Sequence, residues 1–238
     1  MKALIVDDER LGRNALRRLL KEHPEVEIVA EAANAEEALR AVRRNSPDII
    51  FLDVEMPKCS GFELLEKMED VPAVIFTTAY DQYAVHAFEV NAMDYLLKPI
   101  SSERLAGALA RAEKARASTS RQCMQEKDSG IRQIFVRDGD RCWIVRIADI
   151  TLMESEGNYT RLHFAGNAPL IYRSLTAIEE KLNPASFFRA NRSQIVNLRW
   201  IDDVRTEIEG RLVVALKNGK QVEVSRRQSR RLRELLSL

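Results

Sequence analysis

Three cysteines stand in 238 residues, at positions 59, 123 and 142. The number is odd, the spacing is wide and no C-x-x-C occurs, which excludes a disulfide framework and a cysteine zinc site. The three read as plain reduced thiols. Aromatic residues make up only 6%, and the shortage of exposed-looking aromatic clusters argues against the stacking platforms that bind single-stranded nucleic acid. No apolar run approaches the roughly 18 residues of a membrane-spanning helix. Internal repeats, low-complexity tracts and a helix-turn-helix pattern are absent. The N-terminal segment reads as a strand and not as a signal peptide, because charge interrupts it at once and no small-residue cleavage site follows. A cytoplasmic location, with no membrane partner, is the expectation.

The chain is long enough for two domains of about 120 residues. Its net charge of +1 hides an asymmetry. Residues 1–118 hold 16 Lys+Arg against 21 Asp+Glu, a balance of −5, and residues 119–238 hold 21 against 15, a balance of +6. An acidic half joined to a basic half implies a different partner for each, and the basic half is a candidate polyanion binder.

The halves also differ in pattern. The first alternates short, nearly continuous apolar segments ("KALIVD", "EIVAEA", "DIIFLDV", "AVIFTTA", "AMDYLLK") with helical patterns. Helices are expected over 9–22, with Leu11, Ala15, Leu16, Leu19 and Leu20 on one stripe, over 34–45, and at "GFELLEKM", "YAVHAFEV" and "SSERLAGALARAEKA". Five such repeats predict a parallel sheet covered by helices on both faces. Residues 116–130 lack periodicity and read as a linker. The second half reads as mostly antiparallel β. It has a hairpin around "DGD", a helix "SLTAIEEKL" capped by Ser174, tight turns at Glu209-Gly210 and Asn218-Gly219, and a closing basic helix "RRQSRRLRELLSL".

In open parallel sheets, ligands sit at the carboxyl ends of the strands. Strand one here ends in Asp7, Asp8 and Glu9, strand three in Asp53, strand four in Thr77 and Thr78, and strand five in Lys98. Three clustered carboxylates repel one another and call for a divalent cation. Oxygen ligands alone suit Mg²⁺. A carboxylate beside Mg²⁺ can attack phosphorus, and the metal and an ammonium can neutralise the oxygens of the group being transferred. Singly, each residue has an ordinary reading: an acidic pair at a helix start suits the helix dipole, and a lone Lys or Thr is common on any surface. The four positions together carry the chemistry.

The segments "LIVDDE", "PDIIFLDVEMP", "GFELL", "FTTAYD" and "AMDYLLKPI" resemble the receiver domain of two-component response regulators, over about residues 1–117. The resemblance implies a flavodoxin-like α/β fold with five parallel strands. It implies Asp53 as phosphoacceptor, Asp8 as a direct Mg²⁺ ligand with Asp7 assisting or acting through water, and Glu55 offering the metal its backbone carbonyl. Thr78 and Lys98 would contact the phosphoryl group, and Tyr95 would be the aromatic switch. Phosphorylation replaces one charge on Asp53 with about two. Thr78 moving toward the new oxygens would vacate space that Tyr95 could fill.

In the second half, polar groups gather in three places: Asn158, Tyr159 and Arg161 in "EGNYTR"; Arg189, Asn191, Arg192, Ser193 and Asn197 in "FFRANRSQIVN"; and Arg226, Arg227, Arg230, Arg231 and Arg233 near the end. Arg and Asn can pair bidentately with guanine and adenine, and Ser and Arg grip phosphates. The alternative is a solvated face whose Arg stems cover an amphipathic helix. Asn197 can instead tie a loop's backbone. These segments, with "LKNGKQVEVSRR", resemble the LytTR-type DNA-binding domain over about residues 131–236. That resemblance implies a mostly β fold whose loops, here 158–161, 189–193 and 225–227, enter successive major grooves. The family pattern usually has His where this chain has Asn191, which bears on base preference.

The expected protein is thus a DNA-binding response regulator and not an enzyme. It has a receiver at 1–117, a linker at 118–130 and a LytTR-type domain at 131–238. A sensor histidine kinase would phosphorylate Asp53, and a homodimer formed through the two helices after strands four and five would bind tandem half-sites on double-stranded DNA. A Mg²⁺-dependent phosphatase is the rival, but its Asp-x-Asp-x-Thr loop is missing from Asp53-Val54-Glu55-Met56-Pro57. A basic domain that binds RNA or protein is a third reading.

Overall fold

A computed structural model describes residues 1–79, 92–123, 131–139, 141–206 and 211–236, with side chains 117–123 left aside. The helix expected at "YAVHAFEV" and the turn expected at Glu209-Gly210 lie outside these residues. The chain divides into two compact units. The first comprises Met1–Lys127 with Gln133–Phe135 and Gly139–Ile144, and the second comprises Asp128–Arg132, Val136–Asp138 and Val145–Leu238.

In the first unit, strands β1 (Lys2–Val6), β2 (Glu27–Ala32), β3 (Ile49–Asp53), β4 (Ala73–Thr78) and β5 (Asp94–Leu97) form one parallel sheet in the order β2-β1-β3-β4-β5. Their near-continuous apolar runs follow from burial on both faces. Alternate residues go to opposite faces. Leu4, Val6, Ile50, Leu52, Val74 and Phe76 join one core, and Ala3, Ile5, Ile49, Phe51, Ile75 and Leu96 join the other. The described helices are α1 (Arg10–Leu20), α2 (Ala35–Asn45), α3 (Gly61–Glu66) and α4 (Ser102–Cys123). Asn34 caps α2 by accepting from the Glu37 N–H, and Ser60 and Glu63 form a capping box on α3.

Two expectations shift. On α1, Leu16 and Leu20 are buried, but Leu11 is 80% exposed and Ala15 is exposed too. The apolar stripe therefore runs through Leu16, Leu19 and Leu20, which sit three to four residues apart. Helix α4 continues to Cys123, so residues 118–123, expected as linker, are helical. The stretch from Ser102 to Cys123 is Ala- and Arg-rich and free of proline, which outweighs its single Gly107.

In the second unit, β8 (Leu152–Glu156), β9 (Tyr159–His163), β10 (Leu170–Ile171), β11 (Phe187–Asn191) and β12 (Gln194–Asn197) form an antiparallel sheet in the order β10-β9-β8-β12-β11. Strands β13 (Ile201–Thr206), β14 (Leu212–Leu216) and β15 (Gln221–Val224) form a second sheet. The "DGD" hairpin, β6 (Gln133–Asp138) with β7 (Arg141–Arg146), is divided between the two units. Gly219, at φ +82°, makes the β14–β15 turn that Asn218-Gly219 predicts. Helix α5 (Leu175–Glu179) carries its Ser174 cap, whose Oγ accepts from the Ala177 N–H. Helix α6 (Arg226–Leu236) buries Leu232 in a core with Phe188, Ala190, Val214 and Val224.

Candidate functional site

The carboxyl edge of the parallel sheet gathers the expected acids. Asp7, just past β1, and Asp53, ending β3, are 4% and 6% exposed. With the half-buried Asp8 they bring one carboxylate oxygen each within 4.8 Å of one another. Lys98 follows β5 and reaches into the group, its Nζ lying 2.6 Å from Asp53 Oδ2 and 2.8 Å from Asp7 Oδ2. The Glu55 N–H donates to Asp53 Oδ1 at 3.2 Å, and the Glu9 N–H donates to Asp7 Oδ1 at 2.8 Å. Burial pushes the Asp53 carboxyl above the ordinary Asp value, and the Lys98 hydrogen bond offsets only part of that. Burial pulls the Lys98 ammonium down, but its bonds to Asp53 and Asp7 outweigh that and hold it above the usual lysine value.

Three carboxylates against one ammonium leave two negative charges unbalanced in a largely buried place. A divalent cation with oxygen ligands fits that donor set. Thr78 is fully buried at the end of β4, and its carbonyl accepts from the Lys98 N–H at 2.7 Å. Tyr95 on β5 is half-buried and registers against Phe76, so by alternation it shares a sheet face with Thr78. Glu55 is exposed, directly after Val54.

Three supports escaped the sequence reading. A Cβ on Gly12 would lie 2.4 Å from Asp7 Oδ2, and one on Gly61 would lie 2.4 Å from the Asp53 carbonyl oxygen. Arg13 donates from Nη1 to the Asp7 carbonyl at 2.7 Å and the Asp8 carbonyl at 3.2 Å. Glycine signals a close approach only when the neighbour is known, and here that neighbour is set by how the strand end turns into the following helix.

In the second unit, backbone bonds bring the three basic loops to one edge. The Ser155 N–H donates to the Ser193 carbonyl at 2.8 Å, which sets the β8–β9 hairpin beside the β11–β12 turn. The Ser225 N–H donates to the Ala190 carbonyl at 2.9 Å, which adds the start of α6. Asn158, Arg192, Arg226 and Arg227 are exposed there. Tyr159 is 46% exposed and meets the 75% exposed Tyr172 edge-on, ring centroids 5.2 Å apart. Tyr172 carries no motif, and only the β9–β10 pairing places it here.

The remaining candidates are engaged within the domain. Arg161 grips Glu156 with two nitrogens and donates to the Ala168 carbonyl at 2.7 Å. Arg189 pairs with Glu179 at 2.8 Å. Asn191 and Ser193 bond to each other, Ser193 Oγ donating to Asn191 Oδ1 at 3.0 Å. Asn197, 1% exposed, is a backbone tie: its Nδ2 donates to the Ala148 and Ile150 carbonyls at 3.0 and 2.9 Å. On α6, Arg230 pairs with Glu234 while Leu232 fills the core, the solvated-face alternative realised at that position.

Fold and site together define a flavodoxin-like domain with an acidic, lysine-bearing pocket, joined to a mostly β domain with a basic loop edge. Family profiles agree on both parts: a response regulator receiver domain matches residues 3–110, and a LytTr DNA-binding domain matches residues 140–237. The sensory transduction protein LytT of Bacillus anthracis is 35% identical over all of both chains. The transcriptional regulatory protein BtsR of Escherichia coli (strain K12) is 36% identical, also over all of both chains. A solved response regulatory domain, that of protein mrkE from Klebsiella pneumoniae, is 35% identical, covering 48% of this chain and 97% of its own at a TM-score of 0.44. The chain belongs to the LytTR family of two-component response regulators, DNA-binding proteins that regulate transcription.

Proposed function

We propose that Asp53 accepts a phosphoryl group from a sensor histidine kinase, and that this controls dimerisation and binding of the second domain to tandem half-sites on double-stranded DNA in the cytoplasm. The observation that carries the reading is Lys98, whose ammonium bridges Asp53 and Asp7 inside the three-carboxylate cluster. In the transfer, an Asp53 oxygen forms a new P–O bond as the P–N bond to the kinase histidine breaks, and the imidazole keeps the electron pair. Asp7, Asp8, Asp53 and the Glu55 backbone carbonyl would hold Mg²⁺. When bound, Mg²⁺ supplies positive charge against the phosphoryl oxygens. Lys98 supplies the other positive charge. The Thr78 hydroxyl donates to the product, and Tyr95, on the same sheet face, reports the change to the surface beyond.

The receiver is assigned to 1–117 and the DNA-binding domain to 131–238, the sequence between serving as connector. The DNA-facing edge comprises Asn158, Tyr159 and Arg161 of the hairpin, Arg189, Asn191, Arg192 and Ser193 of the β11–β12 turn, and Arg226 and Arg227 of α6. Their convergence through the Ser155–Ser193 and Ser225–Ala190 bonds supports this. No helix of the described residues is long and apolar enough to cross a membrane. The test is labelling with a small phosphoryl donor and Mg²⁺. Wild type should take up one acid-stable, base-labile phosphoryl group, and Asp53→Asn none while keeping its circular dichroism spectrum. Label retained on the variant overturns the assignment.

A further inference from the structure

Around the β11–β12 turn, Arg189, Asn191 and Ser193 all bond within the domain. Arg189 donates from Nε to the Asn191 carbonyl at 2.7 Å, from Nη2 to the Arg192 carbonyl, and from Nη1 to Glu179 at 2.8 Å. Asn191 donates from Nδ2 to Gln194 Oε1 at 2.7 Å and to the Glu223 carbonyl at 2.9 Å. Its Oδ1 accepts from the Ser193 N–H at 2.9 Å and from Ser193 Oγ at 3.0 Å. A side-chain amide has two N–H donors and one oxygen with two lone pairs, so Asn191 is used in full. Pairing bidentately with adenine requires both ends of an amide, and here neither end is available. Arg192 differs. It is exposed, and no partner for its guanidinium is found among the described residues.

The chain of bonds has a fixed direction. Gln194 Nε2 donates to Glu154 Oε1 at 2.8 Å. Glu154 Oε2 lies in hydrogen-bond contact with Nε2 of the buried His163 and faces Lys220 Nζ at 3.5 Å. An ionised carboxylate only accepts. Gln194 must therefore turn its nitrogen toward Glu154 and its oxygen toward Asn191. Asn191 must in turn present its nitrogen to Gln194 and its oxygen to Ser193. One carboxylate at the far end sets two amides and, through them, the backbone of the turn.

We infer that Asn191, Gln194 and Glu154 are positioning residues that hold Arg192 as the single base-reading side chain of this turn. The inference rests on the assignment of that turn to the DNA interface. A double-mutant comparison tests it. The full-length protein, and its Arg192→Ala, Asn191→Ala, Glu154→Ala and Arg192→Ala/Asn191→Ala variants, would be titrated by fluorescence anisotropy. The probes are a duplex selected from a random pool and the set of its single-base-pair substitutions. Arg192→Ala should flatten the preference at one base pair by about fivefold or more. Asn191→Ala should flatten the same base pair, and the double variant should lose nothing further. Glu154→Ala should flatten it too, although deleting a negative charge favours binding to every duplex. A merely destabilised fold would lower the active fraction equally for all duplexes and leave the preference pattern intact; that result for Asn191→Ala and Glu154→Ala overturns the inference. Flattening at a different base pair, adding to that of Arg192→Ala, overturns it as well and makes Asn191 a reader. No change of preference in Arg192→Ala overturns the interface reading itself, and this inference with it.

Discussion

Asp53 and Lys98 owe their chemistry to partners that sequence order keeps 45 residues apart. Their strands were legible because near-continuous apolar runs that end in acids, hydroxyls and a lysine suit a doubly covered parallel sheet with a charged carboxyl edge, and suit little else. Gly12 was not legible, since its role depends on a carboxylate that the α1 backbone approaches from the side. A methyl at Gly12 would sit 2.4 Å from Asp7 Oδ2, well inside van der Waals contact, and Asp7 is already pinned by the Glu9 N–H and Lys98. Gly12→Ala should displace the Asp7 carboxylate and weaken cation binding. The check is the rise in Tm of the transition of the unit that holds Asp7 on adding Mg²⁺ at one fixed concentration, driven by a stabilisation of RT ln(1 + [L]/Kd). Wild type should show a clear rise and Gly12→Ala a rise reduced by more than half. An equal rise would mean that Asp7 relaxes without affecting the metal. Asp8→Asn should abolish most of the rise while leaving Lys98 paired with Asp7 and Asp53.

Strands and helices divided differently between what sequence reveals and what it hides. Parallel strands buried on both faces declare themselves, as Ile49–Asp53 does with every residue buried. The stripe of α1 was drawn one turn too early at Leu11, because leucine at helical spacing says which residues can share a face and not where the core begins. Helix α4 outran its expected end because polarity was taken for irregularity, when no proline stands in 118–123 and Arg121 and Gln122 propagate a helix well. In the antiparallel sheet, the polar array of Glu154, His163 and Gln194 spans β8, β9 and β12, and pairing alone brings it together. It gives this sheet a pH dependence. Burial holds His163 below the ordinary histidine value, outweighing its bond to Glu154. Burial raises Glu154, but hydrogen bonds from Gln194 and His163 outweigh that and leave it below the ordinary glutamate value. Both groups bind protons less readily folded than unfolded. Their contribution is therefore present above the unfolded values and lost as pH falls, beginning near the unfolded histidine value of about 6.5. The transition that includes this sheet should drop in Tm between pH 7 and pH 5, and His163→Gln should flatten the upper part of that drop. A His163→Gln profile parallel to wild type would place the acid sensitivity elsewhere.

Charge separates the two halves of the chain, −5 against +6, and makes salt the simplest probe of the whole molecule. Binding to DNA by the basic half releases condensed cations, so log Kobs should fall linearly with log salt, at about 0.9 per phosphate neutralised. The edge residues then sort by slope. Arg227→Ala, at the exposed start of α6, should weaken binding to all duplexes alike and reduce the slope by about 1 if its contact is a phosphate. Tyr172→Ala should weaken binding and leave the slope unchanged, because its exposed ring offers contact area and no charge. Phosphorylation should act differently from either. If it works by pairing two chains on tandem half-sites, the phosphorylated protein should bind a two-half-site duplex with roughly twice the salt slope of one half-site, since each copy adds its own phosphate contacts. Light scattering should show its mass doubling over the same donor titration. Placing the half-sites half a helical turn out of phase, by inserting about 5 base pairs, should return the slope to the single-site value, because the two copies then face opposite sides of the duplex. A slope that stays at the single-site value on the in-phase duplex would mean that the two copies bind independently, and that phosphorylation at Asp53 controls some step other than pairing.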